Sequence, residues 1–355
     1  METDARSIIM ASSTTRAHYL RPPWRTIYGG ILFLAGLWVA WNCYSPGLFV
    51  ADGRHDLGHN GLWVQHGWLG DDAWFERQDG RVAKETFRRD EELSAFASKL
   101  QMNNIRYVYP HVCPCRSNGE IAAIDQEQTA RFLDKMAGHE VLPWIGGVFE
   151  LQAWPDDQEW RATFVNSAIR LVAEHPRLAG LHVNIEPMPD GNAEYLQLLQ
   201  ELRAGLPRDK ILSIAAYPPP TVFQRVPDVH WSEGYIREVA SIVDQMVFMM
   251  YDTAIEHEKL YIRLMKSWTV ECLDWTTSTR TEVLLGLPAY DDSDSAYHHP
   301  QVENLGTALS GIHAGLSTFN TLPAHYAGAA IYSEWEMDAT EWQQWRTGFI
   351  SNLSR

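Results

Sequence analysis

The sequence predicts an α/β protein whose main body is a (β/α)8 TIM barrel, preceded by an N-terminal transmembrane helix. Three observations carry this. Eight short β-branched or aromatic runs alternate with amphipathic stretches, the pattern that builds a parallel sheet. Eight is also the number of strands that closes such a barrel, and about 300 residues is an ordinary length for one with insertions. An uncharged run from Thr26 to Ala51 stands apart ahead of them. The rival architecture, a doubly wound open sheet, would show a glycine-rich first turn, and neither G-x-G-x-x-G nor G-x-x-x-x-G-K occurs.

The elements follow in chain order. Residues 1–26 read as a cytoplasmic tail and 27–44 as a membrane anchor. Within the anchor, Ile31 to Trp41 is apolar throughout, and at about 1.5 Å per residue the stretch crosses a bilayer with little tilt. Arg6, Arg16, Arg21 and Arg25 precede it, whereas Asp52, Arg54 and Asp56 follow. The positive-inside bias therefore places the tail in the cytoplasm and the barrel outside it, in the periplasm or beyond. An uncleaved anchor is favoured over a signal peptide, because the run is long and no A-x-A site follows. Residues 45–59, with Pro46, Gly47, Gly53 and Gly58, read as a linker, and 60–355 as the barrel.

Strands are expected at Leu62–Trp68, Ile105–Tyr109, Val141–Ile145, Gly180–Ile185, Ile211–Ala216, Gln245–Met250, Val283–Leu287 and Gly328–Tyr332. Helical periodicity falls at Glu91–Leu100, Thr129–Met136, Trp160–Glu174, Ala193–Leu202, Tyr235–Val243, Leu260–Leu273, Val302–Gly315 and Thr340–Phe349.

Composition narrows the function. The chain has 355 residues, is 45% hydrophobic and carries 29 Lys+Arg against 45 Asp+Glu, a net charge of −16. That charge disfavours nucleic acid as a partner, since phosphates repel an acidic surface. Four cysteines exclude a disulfide-dense scaffold. If the barrel is extracytoplasmic, pairing of Cys113 or Cys115 with Cys272 is open to it. No cofactor or metal is expected: His55 and His59 sit in the glycine-rich linker away from His66, and Asp291, Asp292 and Asp294 lack the closing Glu of a calcium loop.

In a (β/α)8 barrel chemistry sits at the C-terminal ends of the strands. Those ends supply Gln65, His66 and Trp68; Tyr109 and His111; Trp144 with Gly146 and Gly147; His182, Asn184 and Glu186; Tyr217; Tyr251 and Asp252; Tyr290, Asp291 and Asp292; and Tyr332, Glu334 and Trp335. Carboxylates and aromatic rings together suit sugars, whose apolar faces stack on rings while their hydroxyls bond carboxylates and amides. The fourth strand is the most informative. In GLHVNIE, alternation puts His182, Asn184 and Glu186 on one face and Leu181, Val183 and Ile185 on the other. A polar triplet facing a barrel interior is costly unless it is hydrogen-bonded or functional.

Several of these segments, in order, resemble the glycoside hydrolase family 18 chitinases and chitinase-like proteins. WIGG (Trp144–Gly147) resembles the third-strand S-x-G-G, and LAGLHVNIE (Leu178–Glu186) the fourth-strand D-G-x-D-x-D-x-E. VFMMYD (Val247–Asp252) is similar to M-x-Y-D, and LLGLPAY (Leu284–Tyr290) to G-x-P-x-Y. GAAIYSEWEMD (Gly328–Asp338) resembles the eighth-strand segment, with Tyr332 where the family has Trp. The resemblance implies a glycosidase acting on, or a protein binding, an N-acetylated polysaccharide by substrate-assisted retention, outside the scheme of two protein carboxylates. On that reading Glu186 is the proton donor, while Asn184 and Tyr251 hold the substrate's 2-acetamido group. His182, Asp252, Tyr290, Tyr332, Glu334, Trp335, Trp68 and Trp144 line the sugar site. His182 and Asn184 stand where the family has Asp. An Asn still accepts an acetamide N–H but carries no charge, and the charges that would raise the acid's pKa are gone.

Two alternatives stand beside this one. A catalytically inactive chitinase-like lectin would keep the aromatics and lose the acids. A two-carboxylate retaining glycosidase would use Asn184-x-Glu186-Pro187 as an N-E-P motif with Asp291, Asp292 or Glu334 as nucleophile. Tyr217-Pro-Pro-Pro220 stiffens a loop beside the cleft, His298–His299 reads as loop, and Trp154, Trp160 and Trp231 read as packing before sugar platform.

Overall fold

The computed structural model describes residues 24–77, 84–221, 226, 228–292 and 295–350. It divides into two units, the first ending at Ser45 and the second beginning at Pro46.

The first unit holds α1 (Trp24–Cys43), where the anchor is expected, and Ile31, Leu32, Phe33, Leu34, Leu37 and Trp38 on it are exposed. Among the described residues, no helix is long and apolar enough to cross a membrane. The transmembrane expectation at 27–44 is therefore not supported by the structure, and the tail before Trp24 lies outside the described residues.

The second unit is the α/β barrel. Its strands are β1 (Asn60–Val64), β2 (Ile105–Pro110), β3 (Glu140–Val141), β4 (Trp144–Val148), β5 (Gly180–Glu186), β6 (Ile211–Ala216), β7 (Gln245–Met249), β8 (Glu282–Pro288) and β9 (Tyr326–Tyr332). All pair in parallel, in the order β3-β2-β1-β9-β8-β7-β6-β5-β4. The two ends of that order, β3 and β4, are halves of the expected third strand. Pro143, which has no N–H to give to a ladder, separates them. Hydrogen bonds run from both halves to both neighbours: Leu142 N donates to Val108 O (2.9 Å) and Val112 N to Trp144 O (2.9 Å), while Ala179 N donates to Val141 O (2.9 Å) and His182 N to Pro143 O (2.9 Å). Nine segments thus make eight staves.

The helices that cover the staves begin where side chains cap them. Asp125 caps α4 (Gln126–Lys135), Asp157 α5 (Gln158–Glu174), Asn192 α6 (Ala193–Gly205) and Ser232 α7 (Glu233–Ala240). After α8 (Glu258–Thr276), Asn304 caps α9 (Leu305–Leu316) and Asp338 caps α10 (Ala339–Gly348), both in capping boxes. Between β1 and β2 lie α2 (Asp72–Glu76), a 3-10 turn (Lys84–Arg88) and α3 (Asp90–Met102). The first two were not expected. β1 also ends at Val64, short of the expected Trp68, and the chain turns at Gly67, whose φ of 97° suits glycine.

Alternation sorts the core into two layers. Leu181, Val183 and Ile185 of β5 face the helices with Val108, Ile214 and Leu285, while Trp63, Tyr107, Tyr109, Leu142, Trp144 and Val247 fill the barrel. The pairing left open for Cys113 or Cys115 with Cys272 is not made: all three are buried free thiols. Cys113 donates to Trp144 O at 3.4 Å and Cys115 to Gln152 O at 3.5 Å, whereas Cys272 packs on α8 in the helix layer.

Candidate active site

The fourth stave, β5, splits its polar triplet between core and mouth. His182 is completely buried. Trp63 Nε1 donates to its Nε2 at 3.1 Å, which leaves the proton on Nδ1 to be donated to Ser213 Oγ at 2.8 Å. Ser213 Oγ and Tyr109 OH each donate to Gln245 Oε1 at 2.8 Å. Burial holds His182 down at about 3, so this network is uncharged. His182, expected at the sugar site, is thus a core residue that satisfies the interior where a carboxylate would be stranded.

Asn184 and Glu186 stand further along the strand. Asn184 Nδ2 donates to Glu186 Oε1, while Asn184 Oδ1 is buried with no hydrogen-bond partner among the described residues. Gly146 lets β4 approach here: its φ is 134°, and a Cβ on it would fall 1.8 Å from Asn184 O. Glu186 is partly exposed. Burial raises its pKa above the usual carboxylate value, the Asn184 bond opposes this, and the charge of Asp252 adds to the rise. A carboxyl whose pKa is raised gives up its proton less readily in the ground state, which suits a general acid.

The end of β9 and the loops after β7, β8 and β9 bring four tyrosine and tryptophan rings to the same mouth. Tyr251 stacks on Tyr332 (centroids 5.5 Å apart), and Tyr290 meets both edge-on at 5.9 and 5.4 Å. Trp335 packs edge-on against Tyr332 at 5.6 Å, and Trp144 does so from β4 at 6.1 Å. The phenols of Tyr251 and Tyr332 are raised first by burial and then by the charge of Glu186, so their fields overlap at the mouth. Tyr290 OH donates to Asp252 Oδ1. Glu186, Asn184, Tyr251, Asp252, Tyr290, Tyr332, Trp335 and Trp144 therefore form one constellation.

Other expected site residues lie elsewhere. Trp68 stacks on Phe96 (4.4 Å) and meets Phe87 and Phe132 in the helix layer, because the chain has turned away at Gly67. Glu334 sits 3.6 Å from Lys99 and is raised by burial. Asp291 is exposed, and Asp294 lies outside the described residues. Among the described residues, the carboxylate whose charge acts on Glu186 is Asp252, not Asp291, Asp292 or Glu334. Trp160 donates to Gln152 O and Trp231 to Met188 O, both from the core. His55 bonds His313 and His59 bonds Arg106, each apart from His66. The hollow lined by His59, Asn104, Arg106 and Glu140 lies at the opposite, N-terminal end of the strands.

Two clusters exceed the sequence reading. Trp74, His66, His111 and Trp144 form a column of rings with successive centroids 4.5, 3.9 and 3.9 Å apart. His66 Nδ1 shares a short hydrogen bond with Asp71, which Gly67 N also bonds at 2.6 Å. Burial pulls His66 to about 3 and pushes Asp71 to about 7. Behind Asp252, His298 and Glu303 are fully buried. Asp71 sits in a loop, where no periodicity marks an inward carboxylate, and the glycines at 67 and 70 are the sign that the chain returns on itself; Glu303 falls within the expected helical stretch Val302–Gly315 but precedes α9, which begins at Leu305.

No family model and no curated protein sequence matches the chain. Solved structures do match its shape. The Chromobacterium violaceum chitinase superposes with a TM-score of 0.52 at 13% identity, over 81% of this chain and 98% of that one. The Pseudomonas fluorescens class V chitinase gives 0.51 at 14% identity, over 81% and 99%. The Bacillus cereus spore cortex-lytic enzyme SleL gives 0.51 at 12% identity, over 82% and 75%. The chain has the chitinase-like TIM-barrel fold that these proteins share.

Proposed function

We propose that the protein is a glycosidase acting on an N-acetylated polysaccharide, with Glu186 as proton donor and the substrate's own 2-acetamido group as nucleophile. The observation that carries this is Asn184. Its Nδ2 is committed to Glu186, and its buried Oδ1 is an acceptor with no hydrogen-bond partner among the described residues. An acetamide N–H bonded there would complete the amide's hydrogen bonding, which burial otherwise leaves unsatisfied. Tyr251 OH would donate to the acetamido oxygen or steady it, and the rings of Tyr332, Trp335 and Trp144 would receive sugar faces. Chitinases and a cortex-lytic enzyme among the structures of like fold favour such a substrate. Turnover of chitin, peptidoglycan and an N-acetylated exopolysaccharide by wild type and Glu186→Gln tests it. Loss of turnover in the variant supports the assignment. Tight sugar binding by a wild type that never turns over would make the protein a lectin.

The same proposal places the barrel outside the cytoplasm on a membrane tether. Its support is the uncharged run Thr26–Ala51, the arginines before it and the exposed apolar side chains of α1. Protease added outside intact cells should digest the barrel, and full protection would reverse the topology.

A further inference from the structure

Asp252 is the carboxylate that acts on Glu186, and what stands behind it is built with care for one proton. The next residue, Thr253, gives both its backbone N (3.1 and 3.2 Å) and its Oγ1 (2.8 Å) to the carboxyl of Glu303. Beside that carboxyl lies His298. Its ring stacks on Tyr290 at 4.0 Å, and its Nε2 donates to Tyr290 O at 3.0 Å. That bond fixes a proton on Nε2. Nδ1 then faces Asp252 Oδ1 at 3.6 Å and Glu303 Oε2 at 3.8 Å, with no hydrogen-bond partner among the described residues. An imidazole lone pair set between two carboxylates is repulsive, and two carboxylates this close with Glu303 fully buried repel each other. One proton placed among the three groups removes both conflicts.

We propose that His298 and Glu303 are positioning residues that hold one shared proton behind Asp252 and so fix the negative charge that Asp252 presents to Glu186. The proposal rests on the reading of Glu186 as proton donor. Burial raises Glu303 to about 7, raises Asp252 and lowers His298, so each of the three resists its charged form. The other titratable groups that act on them are Tyr290 on Asp252, Asp292 on Asp252 and His298, and His299 on His298; Tyr261 of α8 is itself raised by Glu303 and Asp252. Above the midpoint the trio loses its proton and the negative charge behind Asp252 grows. Glu186 then holds its own proton more tightly.

Full-length protein labelled in its histidine rings, with the His298 signal assigned by His298→Gln, tests this without needing turnover. The wild-type signal should report the titration of its neighbour Glu303, which burial raises to about 7. Glu303→Gln should remove that midpoint or move it down by at least one pH unit. Thr253→Val, which removes one donor from Glu303, should move it up and serves if Glu303→Gln fails to fold. A His298 signal that is flat from pH 5 to 9, or a midpoint indifferent to both variants, overturns the proposal. If the enzyme turns over, its pH–rate profile should show an inflection near 7 that Glu303→Gln lacks. An unchanged profile in an active variant overturns the coupling to Glu186. If nothing is cleaved, the proposed function fails while the ring titration still decides the shared proton.

Discussion

Replacing Asn184 by Asp tests the electrostatics of the site from its nearest neighbour. The amide Nδ2 now donates to Glu186 Oε1 and opposes the rise caused by burial and by Asp252. Asn184→Asp removes that donor and sets a second carboxylate at hydrogen-bonding range. Two unit charges about 4 Å apart at an effective dielectric near 20 repel by about 4 kcal/mol, equivalent to about 3 pH units. Some of this is relieved because the pair can share one proton and lose its protons in two steps. The expected rise in the upper step is therefore about 1–3 units. A general acid must be protonated to act, so the alkaline limb of kcat/KM should move up by that amount. Stability provides a second readout. The folded state would bind a proton that the unfolded chain has released, so stability falls as pH rises from the unfolded value through the raised one. The variant's Tm should lie below that of wild type at pH 8 and approach it near pH 4. An alkaline limb that stays put or moves to lower pH would refute the reasoning.

Other outcomes follow from the same contacts. His182→Leu strands Trp63 Nε1 in the barrel core, while Ser213 Oγ keeps its bond to Gln245, and should cost about 1–3 kcal/mol in denaturant unfolding. Because burial holds His182 near 3, it is neutral in the fold and charged in the unfolded chain below about 6.5; acid should therefore destabilise the protein from about pH 6.5 downward, by about 2 kcal/mol from this histidine at pH 5, read from Tm against pH. Gly146→Ala places a methyl group against Asn184 O at a φ that disfavours alanine, and should lose more than about 1 kcal/mol of stability with most of any turnover.

Much of the barrel was legible because its physics is local. Parallel strands buried on both faces read as continuous apolar runs, and β5 to β9 fall within a few residues of the expected bounds. The split of the third stave hung on Pro143, visible in the sequence but readable as a break only once both neighbours were known. The first strand was drawn too long because His66 to Trp68 still look β-prone, while the turn at Gly67 depends on glycine's freedom at a positive φ. Trp68 was misplaced for the same reason. Alternation placed His182, Asn184 and Glu186 on one face, but depth along the strand decides which of them is core and which is mouth. Asp71 reaches inward from a loop by tertiary packing alone, which no period in the sequence records, and Glu303 does so from just before α9, where the expected helix begins too early.

The central claim is that Glu186 gives a proton while the substrate's acetamido group attacks. The most direct measurement compares hydrolysis of matched oligosaccharides with and without the 2-acetamido group, by wild type and Glu186→Gln. The account predicts that wild type cleaves the acetylated substrate far faster than its deacetylated counterpart, and that Glu186→Gln loses at least ~10²–10⁴ of that rate with its fold intact. Equal rates for Glu186→Gln and wild type, or equal rates on the two substrates, would contradict it.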